Sequence, residues 1–299
     1  MSVLLSLLTS AITIMTPLLL AATGGLFTEL SGMLNIALEG LMLVGAFASI
    51  VGTYYSQSIV IGILIGIMSS MILASIMASI TLYLKANVFI TGLATNLFAS
   101  GITVVLSFHL FNNKGVIAFD KMPPIPRLFE GLADKIPIVG HIFFGHTFFT
   151  YLSIILLIVA SLLIYNTPFG FRLRAAGLYK KSLTTIGLST KKYRFIAFLL
   201  SAVYASIAGA MLSVNLGAFV PNITSGKGWI ALVVIFLGQK KPLGLLIASF
   251  IFGFSEAFSN YAQGLWDIPS EFILALPYVF TLVAIILFSI YDFNKKRVE

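Results

Sequence analysis

The chain has 299 residues, of which 59% are hydrophobic and only 9% charged, with a mean hydropathy of +1.05 and a formal net charge of +8. A soluble globular domain needs far more charged surface, and with no cysteine in the sequence, disulfides, thiol chemistry and thiolate metal sites are excluded as well. The positive charge sits in short segments between apolar runs rather than on one continuous surface, so nucleic acid is not an expected partner.

Apolar runs of about 18 to 25 residues match a hydrocarbon core roughly 30 Å thick crossed at about 1.5 Å per residue. The fold class is therefore all-α, a polytopic helical membrane protein with about eight to ten transmembrane helices. Spans are predicted over residues 4–26, 34–51, 59–84, 88–108, 148–165, 195–216, 229–237, 243–261 and 272–291. The first basic residue is Lys85, so residues 4–26 lack the charged flank of a cleavable signal and read as a retained span. The run 229–237 is too short to cross alone unless 221–228 enters the membrane with it. No soluble linker or low-complexity tract interrupts the chain, and residues 1–299 read as a single membrane domain.

Orientation follows from charge. Arg172, Arg174, Lys180, Lys181, Lys191, Lys192 and Arg194 crowd the short hydrophilic stretch 166–194, which the positive-inside rule places in the cytoplasm. Nine crossings put Lys85, Lys240, Lys241, Lys295, Lys296 and Arg297 on that side too, with the amino terminus outside. Lys114, Lys121, Arg127, Lys135 and Lys227 then fall outside, the first four in an extracytoplasmic loop, 112–146, that also holds Asp120, Glu130 and Asp134. With Pro123, Pro124, Pro126 and Pro137, that loop reads as a cap over a pathway mouth, a contact for an outer partner, or a plain connector.

Within the spans, Ser201, Ala205, Gly209, Ser213 and Gly217 recur four apart, and Gly62 and Gly66 form another pair, a pattern that lets helix backbones approach closely in lipid. Polar groups at membrane depth are few: Asn35, Glu39, Asn87, Asn96, Asn215 and Glu256, with Glu29 near the inner boundary. Asn35 and Glu39 are four apart, on one helix face, beside Gly32 and Gly40, which invites a broken helix. Glu39 then either faces a pathway or accepts hydrogen bonds from a neighbouring helix end. Glu256, near the outer end of its span, reads as an interfacial hydrogen-bonding group. There is no GxxxxGK[ST], GxSxG or HExxH, and His109, His141 and His146 all lie towards the outer surface, so no catalytic residue and no metal site is nominated. Residues 178–186, between Gly177 and Gly187, predict a short surface helix suited to a cleft in another protein, or a basic loop held at anionic membrane lipid.

Four stretches together resemble a known family. They are Thr28-Glu29-Leu30-Ser31-Gly32-Met33-Leu34-Asn35-Ile36-Ala37-Leu38-Glu39-Gly40 with Met42 and Gly45-Ala46, the Arg174-Ala175-Ala176-Gly177 loop, the small-residue run 201–209, and Gly226-Lys227-Gly228-Trp229-Ile230-Ala231-Leu232 through Gly238, Pro242-Leu243-Gly244 and Gly253. In this order they are similar to permease subunits of ATP-binding cassette importers, in the branch for branched-chain amino acids, ribose and nucleosides. The form N-I-x-x-E-G is similar to the nucleoside and simple-sugar side. Tyr179-Lys180 and Ala37 depart from the usual pattern, which blurs the coupling-helix boundaries.

The resemblance implies a multi-pass protein of a bacterial plasma (inner) membrane that pairs with a second permease subunit, a paralogue. It also implies a cytoplasmic ATP-binding subunit and an extracytoplasmic solute-binding protein or lipoprotein, with ATP and Mg on the ATPase and no cofactor in this chain. On that pattern Asn35, Glu39, Asn96 and Asn215 line the solute pathway, while Ala176, Gly177, Lys181, Thr184, Thr185, Ile186 and Gly187 engage the ATPase. The imported solute is expected to be a nucleoside, the alternatives being ribose or another simple sugar, or a secondary transporter with coupling-ion ligands and no ATPase. A faint echo between Gly32-x-x-x-Ile36-Ala37-Leu38 and Gly226-x-x-x-Ile230-Ala231-Leu232, on opposite membrane sides, is what inverted repeats would leave.

Overall fold

A computed structural model describes residues 2–133 and 139–263, with positions 279, 283 and 286 beyond them. In chain order these residues form α1 (Ser2–Leu30), α2 (Leu38–Ser56), α3 (Ile59–Leu82), α4 (Val88–Phe111), β1 (Ile117–Ala118), α5 (Glu130–Ala133), α6 (Val139–Phe143) and α7 (Phe148–Asn166). They continue with α8 (Pro168–Leu178), α9 (Lys180–Thr185), α10 (Thr190–Leu216), β2 (Ala218–Phe219), α11 (Lys227–Leu237) and α12 (Pro242–Gln263). Seven of these helices, α1, α2, α3, α4, α7, α10 and α12, are long and apolar enough to cross a membrane, and α11 is a shorter apolar helix. The predicted last span, 272–291, with Lys295, Lys296 and Arg297, and the loop residues Asp134, Lys135 and Pro137, lie outside the described residues apart from the three isolated positions.

Local chemistry sets the boundaries. Hydroxyls within α1 return to its own backbone, Thr16 to the Ile12 carbonyl at 2.8 Å and Thr23 to Leu19 at 2.7 Å, so polar side chains are satisfied inside an apolar helix that also contains Pro17. The Asn87 carboxamide accepts from the Phe89 and Ile90 amides and starts α4. Asn87 is thus an exposed helix cap rather than a polar group at membrane depth.

The centre of the bundle is α10 packed on α2. Ser201, Ala205, Gly209 and Ser213 of the predicted stripe are all buried, and the Ser213 hydroxyl reaches the Ala46 carbonyl at 2.7 Å. A side chain at Gly209 would run into the Met42 carbonyl, so the stripe brings two backbones into contact, as small residues do where lipid gives no hydrophobic drive. Gly62 and Gly66 of α3 meet α2 in the same way, at Thr53 and Ser49. The far faces of α3 and α4, with Leu64, Met68, Ile72, Leu97 and Val105, are exposed and apolar, as a lipid boundary requires.

At the end opposite the basic stretch, β1 pairs antiparallel with β2, Ile117 facing Phe219 and Ala118 facing Ala218. The pairing ties the 112–146 loop to the chain leaving α10. Phe47, Tyr54, Phe111, Phe119 and Phe219 pack edge to face beneath it.

Candidate functional site at two facing helix breaks

Two stretches within the bundle are not helical. The first, 31–37, joins α1 to α2; the second, 220–226, joins β2 to α11. They approach from opposite ends of the bundle and converge on Glu39. The sequence of long helix, break, and helix starting inside the bundle occurs at α1–α2 and again, reversed in direction, at α10–α11, the arrangement of inverted repeats.

Glu39 lies in the first turn of α2, and its carboxylate serves the start of α11. Oε1 accepts from the Gly226 amide at 2.8 Å and the Thr224 hydroxyl at 2.6 Å, and Oε2 accepts from the Gly228 amide at 2.7 Å. An anion at a helix N-terminus satisfies amides that have no partner within the helix and complements the helix dipole. Gly228 has to be glycine, because a Cβ there would press on the Glu39 backbone and fall 2.8 Å from Oε2.

The first break is closed by amides. Asn96 of α4 accepts from the Gly40 amide at 2.8 Å and donates to the Ile36 carbonyl at 2.9 Å. The Asn35 carboxamide accepts from the Ala37 amide at 3.0 Å and donates to the Ser201 hydroxyl at 2.9 Å. Asn35 and Glu39 therefore do not share a helix face: the helix begins only at Leu38, and Asn35 is used in turning the chain that precedes it. Ser31, Asn35, Ile36 and Ala37 are buried.

The second break is open. Asn222 and Ser225 are exposed, at φ 55° and 46°, and Gly226 follows at 82°. Left-handed backbone is uncommon for non-glycine residues, least so for asparagine, and such strain gathers at functional sites. Ser100 donates to the Asn222 carboxamide oxygen at 2.8 Å. It stands 12 residues into the 24-residue α4, about 18 Å from either end, so Asn222 sits at mid-membrane depth. Trp229, in the first turn of α11, is 38% exposed.

Of the four pathway candidates, the structure brings together Asn35, Glu39 and Asn96 and leaves Asn215 apart. Asn215 is exposed near the end of α10, beside Lys227 and Glu256. Lys227 is not in an outer loop: it opens α11, and its Nζ pairs with Glu256 at 2.7 Å, so Glu256 is an ion-pair partner and not simply an interfacial acceptor. Sequence reasoning missed Ser100, Asn222, Thr224 and Ser225. The signal available was the run Pro221-Asn222-Ile223-Thr224-Ser225-Gly226, turn-forming chemistry next to an apolar segment too short to span.

The basic stretch forms a second functional region. Pro168, capped by Thr167, starts α8, which runs through Gly177 and breaks at Tyr179, φ −130° and ψ 53°, before α9. Gly177 is thus inside a helix instead of bounding one. It is small because it lies against Gly32 and the Leu30 carbonyl. Arg194 of α10 locks this contact, donating from Nε to the Ser31 carbonyl at 3.0 Å and from Nη2 to the Ala176 carbonyl at 3.2 Å. Ala176 and Leu183 are buried, whereas Lys181, Thr184, Thr185, Ile186 and Gly187 are exposed, together with Leu178 and Tyr179. Glu29 pairs with Lys240 at 2.6 Å and ties α1 to the turn between α11 and α12.

Residues 7–289 match the family described as branched-chain amino acid transport system / permease component. The nucleoside ABC transporter permease protein NupC of Lactococcus lactis subsp. cremoris is 31% identical over 284 residues, covering 91% of this chain and 89% of its own length. The guanosine ABC transporter permease protein NupQ of Bacillus subtilis is 31% identical over 282 residues, covering 90% and 87%. The fold is similar to that in the solved structure of PsaBC from Streptococcus pneumoniae in complex with Fab, with a TM-score of 0.54 at 12% identity over 92% of this chain and 89% of that one.

Proposed function

This chain belongs to the branched-chain amino acid transport system permease component family, a multi-pass membrane protein that works with other ATP-binding cassette components, and from that premise we propose that it imports nucleosides. All 299 residues form one membrane domain, in the inner membrane of a bacterium with the basic side in the cytoplasm. It contributes half of a pathway completed by a paralogous permease and receives solute from an extracytoplasmic binding protein. Hydrolysis of ATP, with Mg, takes place on a separate subunit.

The observation that carries this reading is the unbroken chain of contacts from the exposed end of α8–α9 to the membrane centre. Leu178, Tyr179 and Ile186 offer exposed apolar contacts among lysines, the chemistry of a lever gripped by a soluble partner. Gly177 and Ala176 pass its displacement to Ser31 and Gly32 through Arg194. Residues 31–37 carry it to Asn35, Asn96 and Glu39, and the Glu39 carboxylate is bonded directly to the first turn of α11. A shift of α8 therefore moves the junction at which both half-helices begin, which is what alternating access between the two ends requires.

The test is reconstitution. The chain, copurified with its ATPase and second permease and placed in liposomes with the cognate binding protein, takes up labelled uridine or guanosine only when ATP is supplied to the basic side. Uptake of ribose in place of nucleosides would overturn the solute assignment. Uptake driven by an ion gradient without ATP would overturn the mechanism.

A further inference from the structure

Asn222 and Ser225, both in left-handed backbone, are exposed at the depth of Ser100, midway along α4, while Thr224 between them is buried against Glu39. Lipid cannot satisfy such groups: non-helical backbone at this depth is tolerated only inside protein or beside water. This flank of the chain therefore faces the pathway shared with the second permease rather than the bilayer. The 31–37 break, at similar depth, is sealed by Asn35 and Asn96, so openness is not a general consequence of breaking a helix here.

The exposed groups are of a particular kind. Ser100 donates to the Asn222 carboxamide oxygen and the Ser225 hydroxyl donates at 3.4 Å to the Asn222 carbonyl, leaving the Asn222 amide hydrogens as neutral donors and the Ser225 oxygen as a neutral acceptor; among the described residues nearby, the charges are already committed, Glu39 to α11 and Lys227 to Glu256. One turn beyond Ser225 along the chain stands Trp229, 38% exposed in the first turn of α11. Successive helix residues turn by about 100°, so Trp229 lies past Gly228, which touches Glu39, and away from Lys227, which reaches α12. Neutral hydrogen-bonding groups one turn from an exposed aromatic residue fit an uncharged solute that has both a flat ring and hydroxyls. A simple sugar meets an indole through its C–H face alone, whereas a nucleoside adds the stacking surface of its base.

We propose that Ser100, Asn222, Ser225 and Trp229 form this chain's half of a mid-membrane subsite for nucleosides, Trp229 stacking on the base while Asn222 and Ser225 hydrogen-bond polar edges. The proposal rests on the importer reading above and adds the residues that discriminate the solute. Affinity here is weak by design of the components: neutral hydrogen bonds that exchange readily with water, and one ring face.

The absence of cysteine makes the chain its own background for thiol labelling. Ser100→Cys, Ser225→Cys and Val105→Cys, each in the full complex in liposomes, are treated with a charged, membrane-impermeant methanethiosulfonate reagent, with uridine, guanosine or ribose present or absent. Expected is labelling at positions 100 and 225 that is lost when a nucleoside is present and persists with ribose, with no labelling at 105 on the opposite exposed flank of α4. No labelling at 100 and 225, or labelling that no nucleoside suppresses, overturns the subsite. A parallel measurement takes uptake by Trp229→Leu and Trp229→Phe. Base stacking on an aromatic ring is worth on the order of a tenfold change in affinity, so the leucine variant raises the nucleoside KM about tenfold and the phenylalanine variant restores most of it. Equal KM values for the two variants overturn the aromatic role. If the wild-type complex carries ribose alone, the solute assignment fails by itself, and the labelling at 100 and 225 still decides whether this flank is wet.

Discussion

Residues 31–37 and 220–226 interrupt helices at comparable depth and meet at one carboxylate, yet the first is nearly sealed and the second is open. The difference lies in what each sequence offers its own backbone. The first carries Asn35 and receives Asn96, two carboxamides that each donate and accept, so the Ile36 carbonyl and the Ala37 and Gly40 amides are paired within protein. The second is held by its own tight turns, Ile223 to Val220, Ser225 to Asn222 and Lys227 to Thr224, and by Glu39 at its end. The roles differ accordingly: a break closed by side chains acts as a rigid link, whereas a break closed by its own turns leaves the Asn222 amide hydrogens and the Ser225 oxygen exposed to solute and water.

Several substitutions break or sharpen that contrast. The largest effect is expected at Glu39, which both breaks share. Glu39→Ala leaves the Gly226 and Gly228 amides without partners in a low-dielectric interior, a cost of about 3 kcal/mol or more, and should abolish uptake and lower the midpoint of thermal unfolding in detergent. Glu39→Gln keeps an acceptor and should retain part of both. Next comes the sealed break: Asn96→Ala removes two hydrogen bonds and should cost about 2 kcal/mol in the same melting assay. At the open break the sign reverses. Ser225→Gly relieves a left-handed non-glycine backbone and should stabilise the protein by up to about 1 kcal/mol while weakening nucleoside uptake. The smallest change is expected at the basic end of the bundle, where Lys240→Ala breaks a pair with Glu29 that is exposed on the lysine side only, worth about 1 kcal/mol or less by the same melt.

Much of the bundle was legible in the sequence because its rules are local. Hydropathy gave the long helices, and four-residue spacing gave the face on which α10 meets α2. The break near Gly32 was legible because glycines flank an asparagine inside an apolar run. What escaped was long-range. Lys227 looks like a loop charge until Glu256, 29 residues later, comes beside it, and no window along the chain shows that pair. Gly177 looks like a helix end, but its smallness is required by Gly32, on a segment far away in sequence. Asn96 stands out in the sequence by its polarity, yet nothing local shows that its carboxamide bridges Ile36 and Gly40. The open break was partly legible as a turn-rich stretch, but its depth became visible only once Ser100 fixed it midway along α4.

The central claim is that motion enters at α8–α9 and reaches the Glu39 junction through Arg194. The direct test measures ATP hydrolysis and nucleoside uptake side by side in the reconstituted complex carrying Arg194→Ala, which removes the bonds to Ser31 and Ala176. The account predicts an assembled complex whose hydrolysis continues while uptake falls by at least about tenfold, the equivalent of roughly 1.4 kcal/mol of lost coupling. Uptake that keeps pace with hydrolysis in that variant would contradict it.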